Sequence, residues 1–565
     1  NGPNPGANNL PGRLAFAGSG YGSASYGQDY PEKPWKKGFA PRIGLAYSYD
    51  QKTVIRAGYG VFFAQAFYPG WGGGMALDGF NLRQTVTNAG VTPAFYLDNG
   101  FPAPTVPPPF VNSAYDNGRL PTAANGNGSA YRTIDGNRRP YSQQWNLTIE
   151  RELPDNISFS VAYVGNKGTR LTSTLQPINV LNPFDSKIQA LETRGTDSNN
   201  ITGVSSTGLV LGPKLNDTFC ANAACTSFLT TVDGVSAPYA GWAQQIVQGG
   251  GCGKPTVAQA LLPYPQFCGP LQGLNENHGN SIYHSFQLKA EKRYSKGLYM
   301  LVSYTASKLI SDASDNTQQL GGTWNATQGI LSPYEKKRAR SISSDDVPQV
   351  LSAAFVYDLP FGKGQRYANQ STFANWIVGG WQFSPLIHWS RGTPMWFRSS
   401  NCPAALVPQF RQSSCLAGVL PGHNPFLHDP NDYNPASGPL FSAAAFEPVS
   451  NFTVPAAATA TAGTAPGQFG YNGSGVRITN FRGPNAKNFD FALTKNTKLT
   501  EKLNFQLRFQ FFNAFNQHYF YPAASVNNQG SSFAFNNDIS GTGFGQWNGG
   551  VSPPRTIQVA GRLEF

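Results

Sequence analysis

Cysteines, histidines and glycine-rich stretches are the residues of this 565-residue chain whose types could support chemistry. The cysteines fall in neighbouring twos: Cys220 with Cys225, Cys252 with Cys268, and Cys402 with Cys415, all in Gly/Pro/Asn-rich segments. That placement suits loop disulfides formed in an oxidising compartment, with the connectivity left open because spacing alone does not settle it. A metal site would want tight cysteine spacings with histidine close by, and none of His278, His284, His388, His423, His428 and His518 is so placed. Gln248-Gly-Gly-Gly-Cys-Gly-Lys254-Pro255 has the look of a phosphate loop, but Gln248 stands where the first glycine belongs and Pro255 where the hydroxyl ligand belongs. Gly541-Thr-Gly-Phe-Gly545 lacks the strand-to-helix setting of a dinucleotide site and reads as a glycine turn. Asp429-Pro-Asn431-Asp432-Tyr-Asn434 is rich in oxygen but lacks the glycine and distal glutamate of a calcium loop, so it also reads as a turn. With no G-x-S-x-G elbow and no H-E-x-x-H helix, the expectation is a protein that is not an enzyme and uses no metal or cofactor.

The elements around these residues point elsewhere. Charged residues make up only 13% of the chain, whereas 62 glycines, 43 prolines and an aromatic content of 13% are all high. Low charge with many aromatics is unusual for a soluble enzyme and ordinary for a lipid-facing barrel with long polar loops. No stretch approaches the roughly 18 consecutive apolar residues of a membrane helix, so a membrane would have to be crossed by strands. The net charge of +12 is scattered; its densest cluster, Lys336, Lys337, Arg338 and Arg340, sits in a predicted loop beside Asp345 and Asp346. No nucleic-acid-binding motif accompanies it, and no nucleic-acid partner is expected.

The last residues carry the clearest pattern. Ile557, Val559, Leu563 and Phe565 project one way, with Gly561 as a gap, and Thr556, Gln558, Arg562 and Glu564 project the other. One apolar face, one wet face and a terminal aromatic are how the closing strand and assembly signal of an outer-membrane barrel read.

The same alternation predicts about eleven strands. The first pair is 39–50 with 53–64, the second 141–153 with 157–166, the third 282–294 with 298–308, the fourth 349–359 with 380–392, and the fifth surrounds Phe489 to Phe511. Short turns alternate with long connections at about 65–139, 167–280, 309–346, 393–486 and 517–553, and residues 1–37 read as the end of an outer loop. A helical turn is expected near 373–378, in the one longer connection on the short side. Long loops on one side only are the asymmetry of a barrel whose long side is extracellular and whose C terminus is periplasmic. An odd number of strands would leave two edges unpaired in lipid, so residues 38–565 are expected to be the second half of a larger barrel, with the export signal and first half outside this sequence.

Several segments resemble one family, the TonB-dependent outer-membrane receptors of the Oar-like type, which carry a carboxypeptidase-regulatory-like N-terminal domain. The matching stretches begin at Phe39-APRIGLAYSYD, Tyr141-SQQWNLTIERELPD, Ser303-YTAS, Tyr357-DLPFGKG and Leu503-NFQLRFQFFNAF. Where such receptors tend to carry a His/Arg-rich lead-in to a strand, this chain has Asp346-Val347-Pro348-Gln349. The resemblance implies an all-β antiparallel transmembrane β-barrel of about 22 strands, plugged by an N-terminal domain and opened by the TonB complex. This chain would supply about half of it. The implied function is energy-coupled uptake of a large solute such as a glycan, peptide or chelate. The rivals are a structural or adhesive surface protein, a passive porin and, as the soluble alternative, a secreted carbohydrate-binding sandwich. Implied partners are outer-membrane lipid, the barrel-assembly machinery, TonB through the plug, and the solute.

The functional candidates are polar residues expected to face the lumen: Arg42, Arg56, Glu150, Lys289, Glu291, Asp490, Arg508, Arg562 and Glu564. Loop aromatics, Phe67, Tyr68, Trp71, Trp242, Trp324 and Trp396, are weaker candidates for stacking on a glycan or peptide, against the alternatives of loop packing and interface anchoring.

Overall fold

The computed structural model describes residues 3–4, 7–12, 18–19, 27–29, 33–64, 86, 88, 90–101, 130–132, 138–171, 178–193, 195–197, 201–205, 208–248, 253–267, 272–274, 277–313, 333–368, 372–399, 407–410, 415–447, 475–476, 479–500, 502–518, 520, 536–539, 541–547 and 551–565. Within them one antiparallel sheet dominates. Its path runs through eleven strands in chain order: β1 (Arg42–Ser48), β2 (Thr53–Phe63), β3 (Tyr141–Leu153), β4 (Ile157–Leu171), β5 (Gly279–Ser295), β6 (Leu298–Ser311), β7 (Gln349–Asp358), β8 (Trp381–Ser390), β9 (Ala486–Lys498), β10 (Asn504–Phe512) and β11 (Thr556–Glu564). Ser341–Ile342 adds a two-residue strand beside the end of β6, making the sheet 12-stranded. No described helix is long and apolar enough to cross a membrane, which says nothing of a barrel.

The short connections are built by turn chemistry. Asp50 accepts the backbone N–H of Lys52 at 2.7 Å and the Thr53 hydroxyl at 3.1 Å, closing β1 on β2. Asp155 and Asn156 take φ of 63° and 59° between β3 and β4, and Lys296 and Gly297 take 52° and 77° between β5 and β6. Left-handed pairs of this kind match the twist of the strands they join. The longer connection between β7 and β8 holds a helix, α1 (Thr372–Val378), where a helical turn is predicted.

β1 is shorter than predicted, starting at Arg42; Pro41 before it has no N–H to give a ladder. β4 and β5 run longer than predicted, because they pair with each other as far as Leu171 and Gly279. Gly165 explains one close approach: it lies opposite Trp145, whose indole occupies the space a Cβ there would need. β1 and β11 are the two ends of the path, and both are exposed along their length. Among the described residues the sheet is therefore open.

The long connections fold on cores of their own. In the first, Leu215, Phe219, Trp242 and Val257 are fully buried together with Val407 and Phe410 from a different long connection. In the second, Phe397, Leu440, Phe441 and Phe446 pack with Ile539 and Phe544. Burial of such side chains contributes roughly 1.5–3 kcal/mol each, so connections distant in sequence are held together at one end of the sheet.

Candidate functional site

Strand register sorts every candidate polar residue. Residues paired across neighbouring strands lie on the same face of a sheet. Arg42 pairs with Gly60, Gly60 with Gln144 and Gln144 with Asn166; Arg56 pairs with Thr148, and Glu150 with Ser160. Ser160 continues to Lys289, and Ser158 to Glu291. Asp490 pairs with Leu386, next to the His388–Asn488 pair on that face. Thr494 pairs with Arg508, while Gln506 pairs with Arg562 and Asn504 with Glu564. Arg42, Arg56, Glu150, Lys289, Glu291, Asp490, Arg508, Arg562 and Glu564 thus share one face. The opposite face carries Ile43, Ile55, Trp145, Leu147, Phe159, Phe286, Phe383, Phe491, Phe509 and Val559.

Across the middle of the wet face runs a single register row: Glu150, Ser160, Lys289, Ser303, Ser352, His388 and Asn488, on seven successive strands. Ser352 Oγ and His388 Nδ1 are 3.2 Å apart within it. Every position offers a hydroxyl, amide, imidazole or charge to whatever lies against the wall.

The charges on this face are mostly paired with one another. Arg56 meets Glu150 at 2.7 Å, Lys289 meets Glu291 at 2.9 Å and Arg562 meets Glu564 at 3.2 Å. All are half-exposed, and such solvated pairs contribute about 0–1 kcal/mol each. Their effect is to line the surface without fixing it. Asp490 accepts the Asn488 side-chain amide at 2.8 Å and the backbone N–H of Asn513 at 2.7 Å, which ties the wall to the start of a long connection. The Arg42 guanidinium stacks 4.8 Å from the Phe62 ring centroid. Arg508 is exposed, between Thr494 and Ala560.

The terminal-strand residues Ile557, Val559, Leu563 and Phe565 are all exposed, the first three on the apolar face, and the ring of Phe505 lies beside the gap at Gly561.

Other candidates resolve differently. Trp242 and Trp396 are buried, so neither is available for stacking on a solute; Trp242 donates its indole N–H to the Pro265 carbonyl at 3.0 Å inside the loop core. Phe67, Tyr68, Trp71 and Trp324 lie outside the described residues. Cys220 and Cys225 form a disulfide. Cys252, Cys268 and Cys402, and the side chain of Cys415, lie outside the described residues. Asp429 turns its carboxylate onto the backbone N–H of Asn431 at 2.8 Å, an ordinary Asx turn. His284 sits on the apolar face, where the Tyr163 hydroxyl lies 2.7 Å from its Nδ1.

A site outside the candidate set lies at the long-connection rim. The Asp346 carboxylate is buried, accepts the N–H of Leu309 at 2.5 Å and meets the Arg482 guanidinium at 2.5 Å. Asp346 stands in the segment where the chain departs from the pattern of the receptors it resembles, and that departure was the available signal. Next to it, burial raises the pKa of the Asp345 carboxyl above its ordinary value.

No curated protein is similar to the chain in sequence. Among solved structures, the pyoverdine outer membrane receptor FpvA of Pseudomonas aeruginosa aligns with 93% of this chain and 36% of its own, at 8% identity and a TM-score of 0.30. The siderophore receptor PiuA of Acinetobacter baumannii aligns over 93% and 35%, at 7% identity and a TM-score of 0.32. The outer membrane transporter YddB of Escherichia coli aligns over 91% and 39%, at 8% identity and 0.35. The chain thus spans well under half the length of each. Residues 2–558 match the family described as the outer membrane beta barrel domain. The chain belongs to that outer-membrane β-barrel family.

Proposed function

We propose that the chain is the C-terminal barrel portion of a TonB-dependent outer-membrane transporter, of the Oar-like type, that takes up a large solute such as a glycan, peptide or chelate. The observation that carries this reading is the two-faced sheet: nine candidate polar side chains and the row from Glu150 to Asn488 on one face, aromatic and aliphatic side chains on the other. A wall of this kind separates water from lipid. Among the described residues its edges, β1 and β11, carry unpaired backbone groups, and lipid offers nothing to satisfy them. Further strands must close the barrel, and a barrel of about 22 strands has a lumen wide enough to need a plug. Transport then requires the plug to be moved, which is the work assigned to TonB.

The test is the mass and N-terminal sequence of the native polypeptide recovered from an outer-membrane fraction, followed by solute uptake with and without the TonB complex. A polypeptide about twice this length, with TonB-dependent uptake, supports the transporter. A native polypeptide of this length that is indifferent to TonB sinks it. A structural or adhesive surface role is the second reading, favoured by the fused cores of the long connections. Deleting those connections would then abolish attachment and leave uptake unchanged.

A further inference from the structure

The helix α1 (Thr372–Val378), in the connection between β7 and β8, carries apolar side chains that the described residues do not cover. Phe373, Trp376 and Ile377 are spaced i, i+3 and i+4, which puts them on one stripe, and they are 75%, 61% and 49% exposed. Another side of the helix is fixed by Asn375. Its side-chain carbonyl accepts the N–H of Lys363 at 2.6 Å, and its backbone carbonyl accepts the N–H of Gly379 at 2.9 Å. Neither Gly362 nor Gly379 leaves room for a Cβ against Asn375, so the helix sits closely on the turn from Phe361 to Tyr367.

Two outward side chains of the sheet hold the last turn of the helix. Trp381 donates its indole N–H to the Ile377 carbonyl at 3.0 Å, and Lys495 donates to the Gly379 carbonyl at 2.7 Å. Trp381 pairs with Lys495 across β8 and β9, two residues before the Phe383–Leu493 pair of the apolar face, and its ring stacks on that of Phe509 with 6.4 Å between centroids. The stripe thus continues the apolar face past the short-turn end of the strands. Charge around it is of one sign. Lys363 and Arg366 are exposed, and no Asp or Glu occurs from Leu359 to Trp381. The carboxylate just before that stretch, Asp358, is already engaged by Tyr294 and Gln382.

An outer-membrane barrel presents its apolar face to lipid. A short helix with aromatic and aliphatic side chains on one side, flanked by cations, suits the plane where headgroups meet acyl chains. We propose that α1 is an interfacial anchor lying in the phospholipid leaflet at the short-turn end. Phe373, Trp376 and Ile377 enter the first acyl methylenes, and Lys363 and Arg366 stay among the phosphates. The anchor rests on the apolar face meeting lipid and is independent of whether the protein transports.

The native polypeptide is reconstituted in bilayers of phosphatidylethanolamine and phosphatidylglycerol, and the emission of Trp376→Phe is subtracted from that of the wild type to isolate Trp376. That emission should lose most of its intensity when the lipid carries bromine near the headgroup end of its acyl chains, less with bromine at the chain ends, and little with aqueous iodide. Quenching by iodide in place of bromolipid would leave the stripe in water. Shielding from both would mean that protein covers it, from the same polypeptide or from a partner. Stronger quenching from the chain ends would put Trp376 deep in the bilayer and away from the headgroups. Each of these three outcomes overturns the proposal. Because the subtraction needs a variant that folds as the wild type does, hydroxyl-radical oxidation of the wild type alone gives an independent reading. Corrected for intrinsic reactivity, Phe373 and Trp376 should be protected in the bilayer as Phe509 is, while Tyr96, exposed in a long connection, is oxidised. Oxidation of Phe373 and Trp376 as fast as Tyr96 also overturns the proposal.

Discussion

Arg482 and Asp346, 136 residues apart in sequence, meet at 2.5 Å with the carboxylate almost wholly buried, and Arg482 also donates to the Asp346 and Gly392 carbonyls. The pair joins the segment that leads into β7 to the segment that leads into β9. Asp346→Ala would leave a buried guanidinium uncompensated, at about 3–5 kcal/mol. Limited proteolysis should then cut the connection between β8 and β9 in the variant and not in the wild type. Asp346→Asn, which keeps an acceptor for the Leu309 N–H, should fall between them.

The packing of Trp145 over Gly165 predicts a different defect. Gly165→Ala forces the indole to move and should lower stability by about 1–3 kcal/mol, read as a lower temperature for the heat-dependent shift in gel mobility of a folded barrel. Adding Trp145→Ala should recover part of the loss. A double variant no better than Gly165→Ala alone would mean that the contact is not the cause.

Trp242→Ala tests whether the loop core is separate from the sheet. Trp242 is fully buried, so the change should remove about 3–5 kcal/mol from the packing of the connection between β4 and β5. Proteolysis within residues 178–267 should accelerate while the gel-mobility transition stays put. A matching drop in both would show one cooperative unit.

The Lys296 ammonium bonded to Asp155 holds that carboxyl below its ordinary value of 3.8. A carboxyl lowered by folding contributes stability above the unfolded value, and that contribution is lost as pH falls through the lowered one. Amide exchange in the turn between β3 and β4, corrected for its intrinsic pH dependence, should therefore stay flat on acidification until below pH 3.8. Lys296→Gln should remove most of that acid-induced change, because the Asp155 carboxyl then titrates close to its unfolded value.

Strand positions and faces were legible in the sequence because alternation is local: a period of two needs only the residue and its neighbours. Thus β3, from Tyr141 to Leu153, and β7, from Gln349, begin or end where alternation predicts, and all nine candidate polar residues fall on one face. The long connections have no period, so nothing in their sequence distinguishes Trp242, which is buried, from an aromatic left free to stack on a solute. Burial there depends on Val407 and Phe410, supplied from well over a hundred residues away. The same holds for Asp346, whose partner is set by where β7 and β9 begin. Local side-chain alternation thus determined the sheet and its two faces. The tertiary structure alone decided which charges meet one another, because pairing depends on distance in space between segments that the sequence keeps apart.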